Sequence, residues 1–399
     1  MTQTLPLARL IGLALPFTAA YLLSELIRNI NAVLAPALRA DFGLTPSALG
    51  LMTAAFLAAL AGAQLVVGPA LDRFGPRRVL LATLGLAVLG ALLFALAQSP
   101  AMLVLARFLI GLGLSACWTG AYKANTLWWP RERLPLVNAL TIAVAGLGAL
   151  AATAPAEWLL GLIGWRAMFL ALAALAAGVA LWIAVAVPAT VGTTGPQATT
   201  RVFLHPAVRA ILPASALCQG AWIAYQGLWA GVWLREALGL PPERAAAILM
   251  GLALAVILGQ FAFGLLADRL ARDDRRLYRL TFVLTAAFIA AQFALALGAA
   301  PAQGPLWALY GLFTAGPILS YALLVRLLPP AVSGRAIALL NLGALLSGVL
   351  LQGGLGTVIE ALQARGWPPA QAQTAPFLAI AVLQAAALLN MGLRRPATL

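Results

Sequence analysis

Along this chain, long apolar runs alternate with short clusters of proline, glycine and charge. The runs lack the every-second-residue alternation of barrel strands. Leu80–Ala97, Met168–Val187 and Phe377–Met391 contain no charged residue at all. Such runs match the ~20 residues that an α-helix needs to cross a hydrocarbon core of about 30 Å, and a helix satisfies its own backbone polar groups there. The breaks predict spans near 8–38, 47–68, 79–97, 101–127, 136–162 and 167–187, then near 207–234, 244–266, 277–298, 305–327, 335–362 and 373–393. Between the two sets lies a Gly/Thr-rich stretch with Thr193, Thr194, Gly195, Gln197, Thr199 and Thr200, too polar to cross. The pattern predicts an all-α membrane protein of 12 transmembrane helices: an N-terminal six-helix bundle over 1–187, a cytoplasmic linker over 188–206 and a C-terminal six-helix bundle over 207–399.

Composition sharpens this picture. A chain of 399 residues that is 63% hydrophobic and 9% charged cannot hide its apolar surface inside a water-soluble globule. The formal net charge of +14 would suit nucleic acid, but the placement of the basic residues assigns it to topology. With the N-terminus inside, seventeen of the 25 fall on the cytoplasmic side and five outside, while Arg28, Arg107 and Lys123 lie within apolar segments. That bias is what the positive-inside rule expects, so both termini are expected to be cytoplasmic. The run after Arg9 carries no small-residue cleavage site and reads as a first span rather than a removable signal. Cys117 and Cys218 sit in apolar helices as small hydrophobes, and the sole histidine, His205, cannot assemble a metal site. Neither a cofactor nor a nucleic-acid partner is expected. No nucleophile–base set, phosphate loop or metal spacing lies on an aqueous segment, so an enzyme is not expected either.

The segment Gly68-Pro-Ala-Leu-Asp72-Arg73 recurs as Gly264-Leu-Leu-Ala-Asp268-Arg269, and Gly164-Trp165 is echoed by Gly366-Trp367, each close to half the chain away. Repeated six-span halves are how many transporters build a site that opens alternately to each side. Gly68–Arg78 (GPALDRFGPRR) resembles the Gly-x-x-x-Asp-Arg-x-Gly-Arg-Arg loop of the major facilitator superfamily, and Arg107-Phe-Leu-Ile-Gly111-Leu-Gly113 is similar to its fourth-helix motif. The resemblance implies the major facilitator fold, two six-helix bundles around a central cavity, working as a monomer. It also makes Asp72, Arg73, Arg77, Arg78, Asp268 and Arg269 gating candidates. Asp72 can accept from a neighbouring helix N-terminus while the arginines hold the cytoplasmic face closed, or the arginines only set orientation. The second-half loop departs from the pattern, with Leu270-Ala271-Arg272 where the first half has Phe74-Gly75-Pro76.

Charges at bilayer depth are functional candidates by default. Tyr21, Glu25, Arg28 and Ala32 are spaced by four, three and four, which puts acid and base on one helix face a turn apart. Either Arg28 meets an anionic substrate while Glu25 binds the coupling proton, or the two form a structural ion pair. Tyr21-x6-Arg28-Asn29-x6-Pro36 resembles the first helix of organophosphate antiporters and anion:cation symporters, in which an arginine contacts the anion. The fourth helix extends the likeness through Lys123 and Trp128-Trp129-Pro130-Arg131-Glu132-Arg133. Lys123 is the only lysine, and it either lines the cavity or snorkels to the interface. The second arginine of the phosphate antiporters falls at Ile223 here, which disfavours a two-guanidinium grip on phosphate and favours a carboxylate-like monoanion. Around it Gln219, Trp222, Tyr225, Gln226 and Trp229 offer neutral hydrogen bonds and aromatic faces. Asn31, Tyr122, Gln260, Tyr321, Asn341 and Gln352 are further cavity candidates, each equally able to be a helix-packing contact. By family resemblance Arg107 belongs to a proton-coupling or structural network. Glu157 and Glu360 read as charges at the outer rim.

These features point to a proton-coupled transporter of a small organic anion in the bacterial inner membrane, a multi-pass protein with the lipid bilayer and a small-molecule substrate as its partners. The alternatives are an exporter of amphipathic compounds, disfavoured because Gly146-Leu-Gly148 and Ala154-Pro155 form no Gly-Pro-x-x-Gly-Gly run, and a transporter-like ligand sensor, disfavoured by the short loops.

Overall fold

The computed structural model describes residues 7–129, 134–188, 205–270, 273–298, 302–328 and 330–394, and the regular elements among them are helices. In the first half these are α1 (Leu7–Asn29), α2 (Asn31–Phe42), α3 (Pro46–Ala95), α4 (Pro100–Leu114), α5 (Cys117–Trp128), α6 (Leu134–Ala151) and α7 (Ala154–Ala186). The second half has α8 (Pro206–Ala224), α9 (Ala230–Val232), α10 (Pro242–Leu270), α11 (Asp274–Leu297), α12 (Gln303–Leu312), α13 (Ala315–Leu327), α14 (Pro330–Ala364) and α15 (Pro369–Leu393). Two of these contain a non-helical glycine, Gly75 in α3 at φ 77° and Gly164 in α7 at φ 73°. A side chain at such φ meets steric resistance that glycine escapes, so each long element is two helices meeting at a turn.

Among the described residues eleven helices are long and apolar enough to cross a membrane, and Leu140–Ala151 is a shorter apolar helix. The outward side chains agree: Leu65, Val185, Phe261 and Leu350 are 69–79% exposed, an arrangement stable in lipid and not in water. The chain is therefore a multi-pass membrane protein.

The chain groups into two compact units, one of residues 1–44 and 55–197, the other of residues 45–54 and 198–399. The two repeat one another in detail. In the first, Gly111 of α4 packs so closely on α3 that a Cβ would strike the Phe56 carbonyl. In the second, Gly311 of α12 meets the Leu252 carbonyl of α10 in the same way. Helices in lipid associate through such close approaches of small residues. The α4–α5 break at Ser115 matches the α12–α13 break at Thr314: Ser115 Oγ donates back to Leu112 C=O and Thr314 Oγ1 to Gly311 C=O, both at 2.6 Å. A glutamine reaches each break from the neighbouring helix, Gln64 Nε2 to Ser115 C=O at 3.1 Å and Gln260 Nε2 to Thr314 Oγ1 at 3.5 Å. The Gly-Trp echo holds only in part. Gly366 shares the positive φ, but Trp165 is buried with its indole N–H on Asp41 Oδ2 at 2.8 Å, whereas Trp367 is 43% exposed.

Candidate functional site

In the first unit the first span is not one helix: α1 stops at Asn29, Ile30 is a turn and α2 starts at Asn31. Neither glycine nor proline occupies the break. Arg107 Nη1 of α4 donates to Ile27 C=O at 3.1 Å, the carbonyl that a continuous helix would offer to the Asn31 N–H. The Arg107 side chain is fully buried, with its guanidinium 4.8 Å from the Phe94 ring centre and 5.2 Å from that of Phe169. These aromatic faces stabilise a cation that has no acidic neighbour in an ion pair among the described residues. Its Nε and Nη2 lack hydrogen-bond partners there, as does the buried Asn31 Oδ1 beyond the break.

One turn before the break, Arg28 Nη2 meets Glu25 Oε2 at 2.5 Å. Asn29 Nδ2 donates to the Glu25 carbonyl at 2.8 Å. The Glu25 side chain is 10% exposed and that of Arg28 29%, so the acid is shut in while the arginine side chain stays partly exposed. Tyr21, half-buried on the same face, lies within electrostatic reach of Glu25, Arg28 and Tyr122. Tyr122 of α5 stands edge-on to Trp118, ring centres 5.7 Å apart. The structure thus joins Tyr21, Glu25, Arg28 and Tyr122 in one group, with half-buried Lys123 next to Tyr122 on α5. Trp128 closes α5 against Phe17 of α1 at 5.8 Å, while residues 130–133 lie outside the described residues.

In the second unit α8 continues through two π-helical turns, Tyr225–Trp229 and Trp233–Ala237. Wide turns of this kind accompany functional sites. Tyr225 does not join a polar site: it is 2% exposed and packed on Phe377, with Trp307 beyond, at 4.3 and 6.3 Å. Gln352 is buried too, its carbonyl accepting from Trp229 Nε1 at 3.1 Å and its side-chain Oε1 without a hydrogen-bond partner among the described residues. Gln260 is the tie at the Thr314 break, matched by Gln64 in the first unit. Trp222 and Gln226 are half-buried along α8.

The candidates that the structure does bring together here are Tyr321 and Asn341, through Gln219. Ser215 Oγ donates to Pro317 C=O at 2.8 Å, Gln219 Nε2 donates to Ser215 Oγ at 2.8 Å, and Tyr321 OH faces Gln219 Oε1 at 3.3 Å and Asn341 Oδ1 at 3.5 Å. Sequence reasoning named Gln219 only in passing and overlooked Ser215, although their four-residue spacing on one helix face was a readable signal.

At the loop of the first unit, Arg77 Nη2 donates to Ala184 C=O at 2.7 Å, a cation on the last turn of α7. Arg73 lies 5.1 Å from the Phe74 ring centre, and Arg78 and Arg269 are exposed. The side chains of Asp72 and Asp268 lie outside the described ones. At the degenerate second loop Arg326 Nε meets Asp274 Oδ1 at 2.5 Å, and Asp273 caps α11 through the Arg275 N–H at 2.8 Å. Glu360 Oε2 accepts from the Ser47 N–H at 3.1 Å, a carboxylate at the first turn of α3. Among the described residues no three of His, Cys, Asp and Glu gather as metal ligands would.

Membrane-length helices, units that share the same close contacts and a charged pair inside the first helix define a polytopic membrane protein. The chain belongs to the Major Facilitator Superfamily, whose family model matches residues 17–351. It is 31% identical over 158 residues to a probable sulfoacetate transporter of Cupriavidus necator, covering 40% of this chain and 37% of that protein. It is 33% identical over 139 residues to a 4-hydroxybenzoate transporter of Acinetobacter baylyi, covering 34% and 30%. The matches thus span about a third of these relatives' length. A bacterial homologue of the human lysosomal transporter Spinster, in an inward-facing and occupied conformation, superposes with a TM-score of 0.77 over 96% of both chains. At 18% identity that likeness shows the fold alone.

Proposed function

We propose that this protein is a secondary active transporter that carries a small carboxylate-like organic anion across the bacterial inner membrane by alternating access, coupled to protons. The observation that carries the reading is the Glu25–Arg28 pair, an enclosed acid bonded to an arginine whose side chain stays partly exposed. An arriving carboxylate competes with Glu25 for Arg28, and Glu25, released in a buried place, takes up a proton. The charge of the site is then the same before and after binding: one proton enters with one anion and neither partner is left as an uncompensated buried charge. Tyr21, Tyr122 and Lys123 line the anion's side of this group, Asn31 lies beyond the helix break, and Arg107, held on the Ile27 carbonyl, is the second proton-coupling candidate. Within the second unit the substrate-binding candidates are Trp222, Tyr225, Gln226, Gln260, Tyr321, Asn341 and Gln352. Sulfoacetate and 4-hydroxybenzoate, for which these two relatives are named, are organic anions and support the same class.

The reading includes twelve spans, counting α6 with the start of α7 as one, arranged as bundles over 1–187 and 207–399 joined by a linker over 188–206. Both termini are cytoplasmic, the working unit is a monomer, and Asp72, Arg73, Arg77, Arg78, Asp268 and Arg269 serve the cytoplasmic gate. The test is ligand-induced stabilisation of purified protein by carboxylates, sugar phosphates and cationic amphiphiles. Stabilisation by carboxylates that disappears in Arg28→Ala is the expected result; stabilisation by cationic amphiphiles alone overturns the assignment in favour of efflux.

A further inference from the structure

Within the second unit α11 begins beside the end of α15. Both helices are of membrane length, Asp274–Leu297 and Pro369–Leu393, so their shared end lies at the edge of the hydrocarbon, where lipid headgroups sit. Two contacts fix the register there. Tyr278 OH donates to Met391 C=O at 2.7 Å, and a Cβ on Gly392 would stand 3.4 Å from the Phe282 ring. Arg275, Tyr278, Arg279 and Phe282 are spaced by three, one and three, which puts them along one face of α11. Arg394 follows Met391 by three residues at the end of α15. Arg275, Arg279 and Arg394 are all exposed, and they gather at the mouth of this one seam.

The acids beside them are already engaged. Asp273 meets Arg276 at 3.4 Å and accepts from the Arg275 N–H at 2.8 Å, and Asp274 meets Arg326 at 2.5 Å. Among the described residues Arg275, Arg279 and Arg394 have no ion-pair partner. The positive-inside rule asks only for a number of basic residues and is indifferent to which seam they border. Next to them the surface turns apolar: Val283 and Leu393, which follow Phe282 and Gly392, are exposed, as is Leu389 one turn earlier. Cations beside an exposed apolar strip fit an anionic phospholipid, with phosphate on the guanidiniums and acyl chains along Val283, Leu389 and Leu393. A soluble anion leaves the strip unused. An acidic protein segment would set its own backbone polar groups against lipid.

We infer that the α11–α15 seam is a binding site for an anionic phospholipid, with Arg275, Arg279 and Arg394 holding the headgroup. A headgroup with two phosphates, as in cardiolipin, compensates three cations better than the single phosphate of phosphatidylglycerol. The site lies wholly within one unit and involves none of the substrate candidates.

The test titrates purified full-length protein in detergent with cardiolipin, phosphatidylglycerol and phosphatidylcholine, and with glycerol 3-phosphate as a headgroup without chains, reading apparent affinity from thermal stabilisation. Affinity is expected to fall in the order cardiolipin, phosphatidylglycerol, phosphatidylcholine, with at least about tenfold between the first and the last at low salt and a smaller gap at high salt. An arginine beside an anionic lipid surface contributes about fivefold, so Arg275→Gln and Arg279→Gln should each weaken cardiolipin binding by about that factor. Arg244→Gln, which removes an exposed arginine at the start of α10, should leave it unchanged. The midpoints of the lipid-free variants show that each is folded. Equal affinity for cardiolipin and phosphatidylcholine, stabilisation by glycerol 3-phosphate as strong as by lipid, or the same loss in Arg244→Gln as in Arg279→Gln overturns the site. So does a cardiolipin preference that survives in the triple variant Arg275→Gln, Arg279→Gln, Arg394→Gln.

Discussion

The exchange of Glu25 for substrate on Arg28 makes a quantitative demand. If the anion displaces a carboxylate that then takes up a proton, binding one anion consumes one proton. The apparent affinity should then change with pH with a slope of about one, which is about tenfold or ~1.4 kcal/mol per pH unit, tighter toward acid. The sign follows from the partners: protonation of Glu25 removes the competitor for Arg28, so acid favours the bound state, and alkali restores the ion pair seen at 2.5 Å. Glu25→Gln keeps the shape and removes both the competitor and the titrating proton. In that variant the slope should fall to about zero over pH 5.5–8, with affinity at the upper end at least as high as that of wild type. Isothermal titration in detergent, repeated in buffers of different ionisation enthalpy, gives both the affinity and the number of protons taken up. A slope of about one persisting in Glu25→Gln refutes the exchange and assigns the proton to another group.

Arg28→Ala should weaken carboxylate binding by at least about thirtyfold, ~2 kcal/mol, with the protein still folded in detergent, as read by ligand titration and thermal unfolding. Arg107→Met replaces a buried cation by an apolar side chain of similar length. Its stability should stay within about 2 kcal/mol of wild type or rise, while proton-driven uptake falls. Full uptake in that variant would make Arg107 purely structural. Gly148 sits where a Cβ would strike the Leu22 carbonyl of α1, so Gly148→Val should destabilise by about 1–3 kcal/mol. Gly161 faces open space, and Gly161→Ala should change stability by less than about 1 kcal/mol. Thermal unfolding of the pair checks both.

Much of the fold was legible because lipid imposes a coarse rule: each span must be long, apolar and helical, and Gly75 and Gly164 mark turns by the φ they adopt. The Glu25–Arg28 pair was legible for a similar reason, since charges three apart on one helix face inside an apolar segment have few other partners. What could not be read was tertiary. The first helix breaks at Ile30 without proline or glycine, where a guanidinium from Arg107, eighty residues away in sequence, takes the Ile27 carbonyl. Tyr225, an aromatic hydroxyl on the face that faces polar candidates in sequence, is closed instead against Phe377. Gln260 looked like a cavity group until its bond to Thr314 could be set beside that of Gln64 to Ser115. Gln219 and Ser215 carried a helical spacing, but the direction of the amide depends on Pro317, about a hundred residues on.

The central claim is proton-coupled movement of an organic anion, and the most direct measurement is uptake of radiolabelled 4-hydroxybenzoate and lactate into proteoliposomes under an imposed pH gradient. Accumulation above equilibrium with acid outside, abolished by a protonophore and absent in Arg28→Ala, is the predicted result. Uptake of neither acid, or uptake of equal extent with and without the gradient, would contradict it.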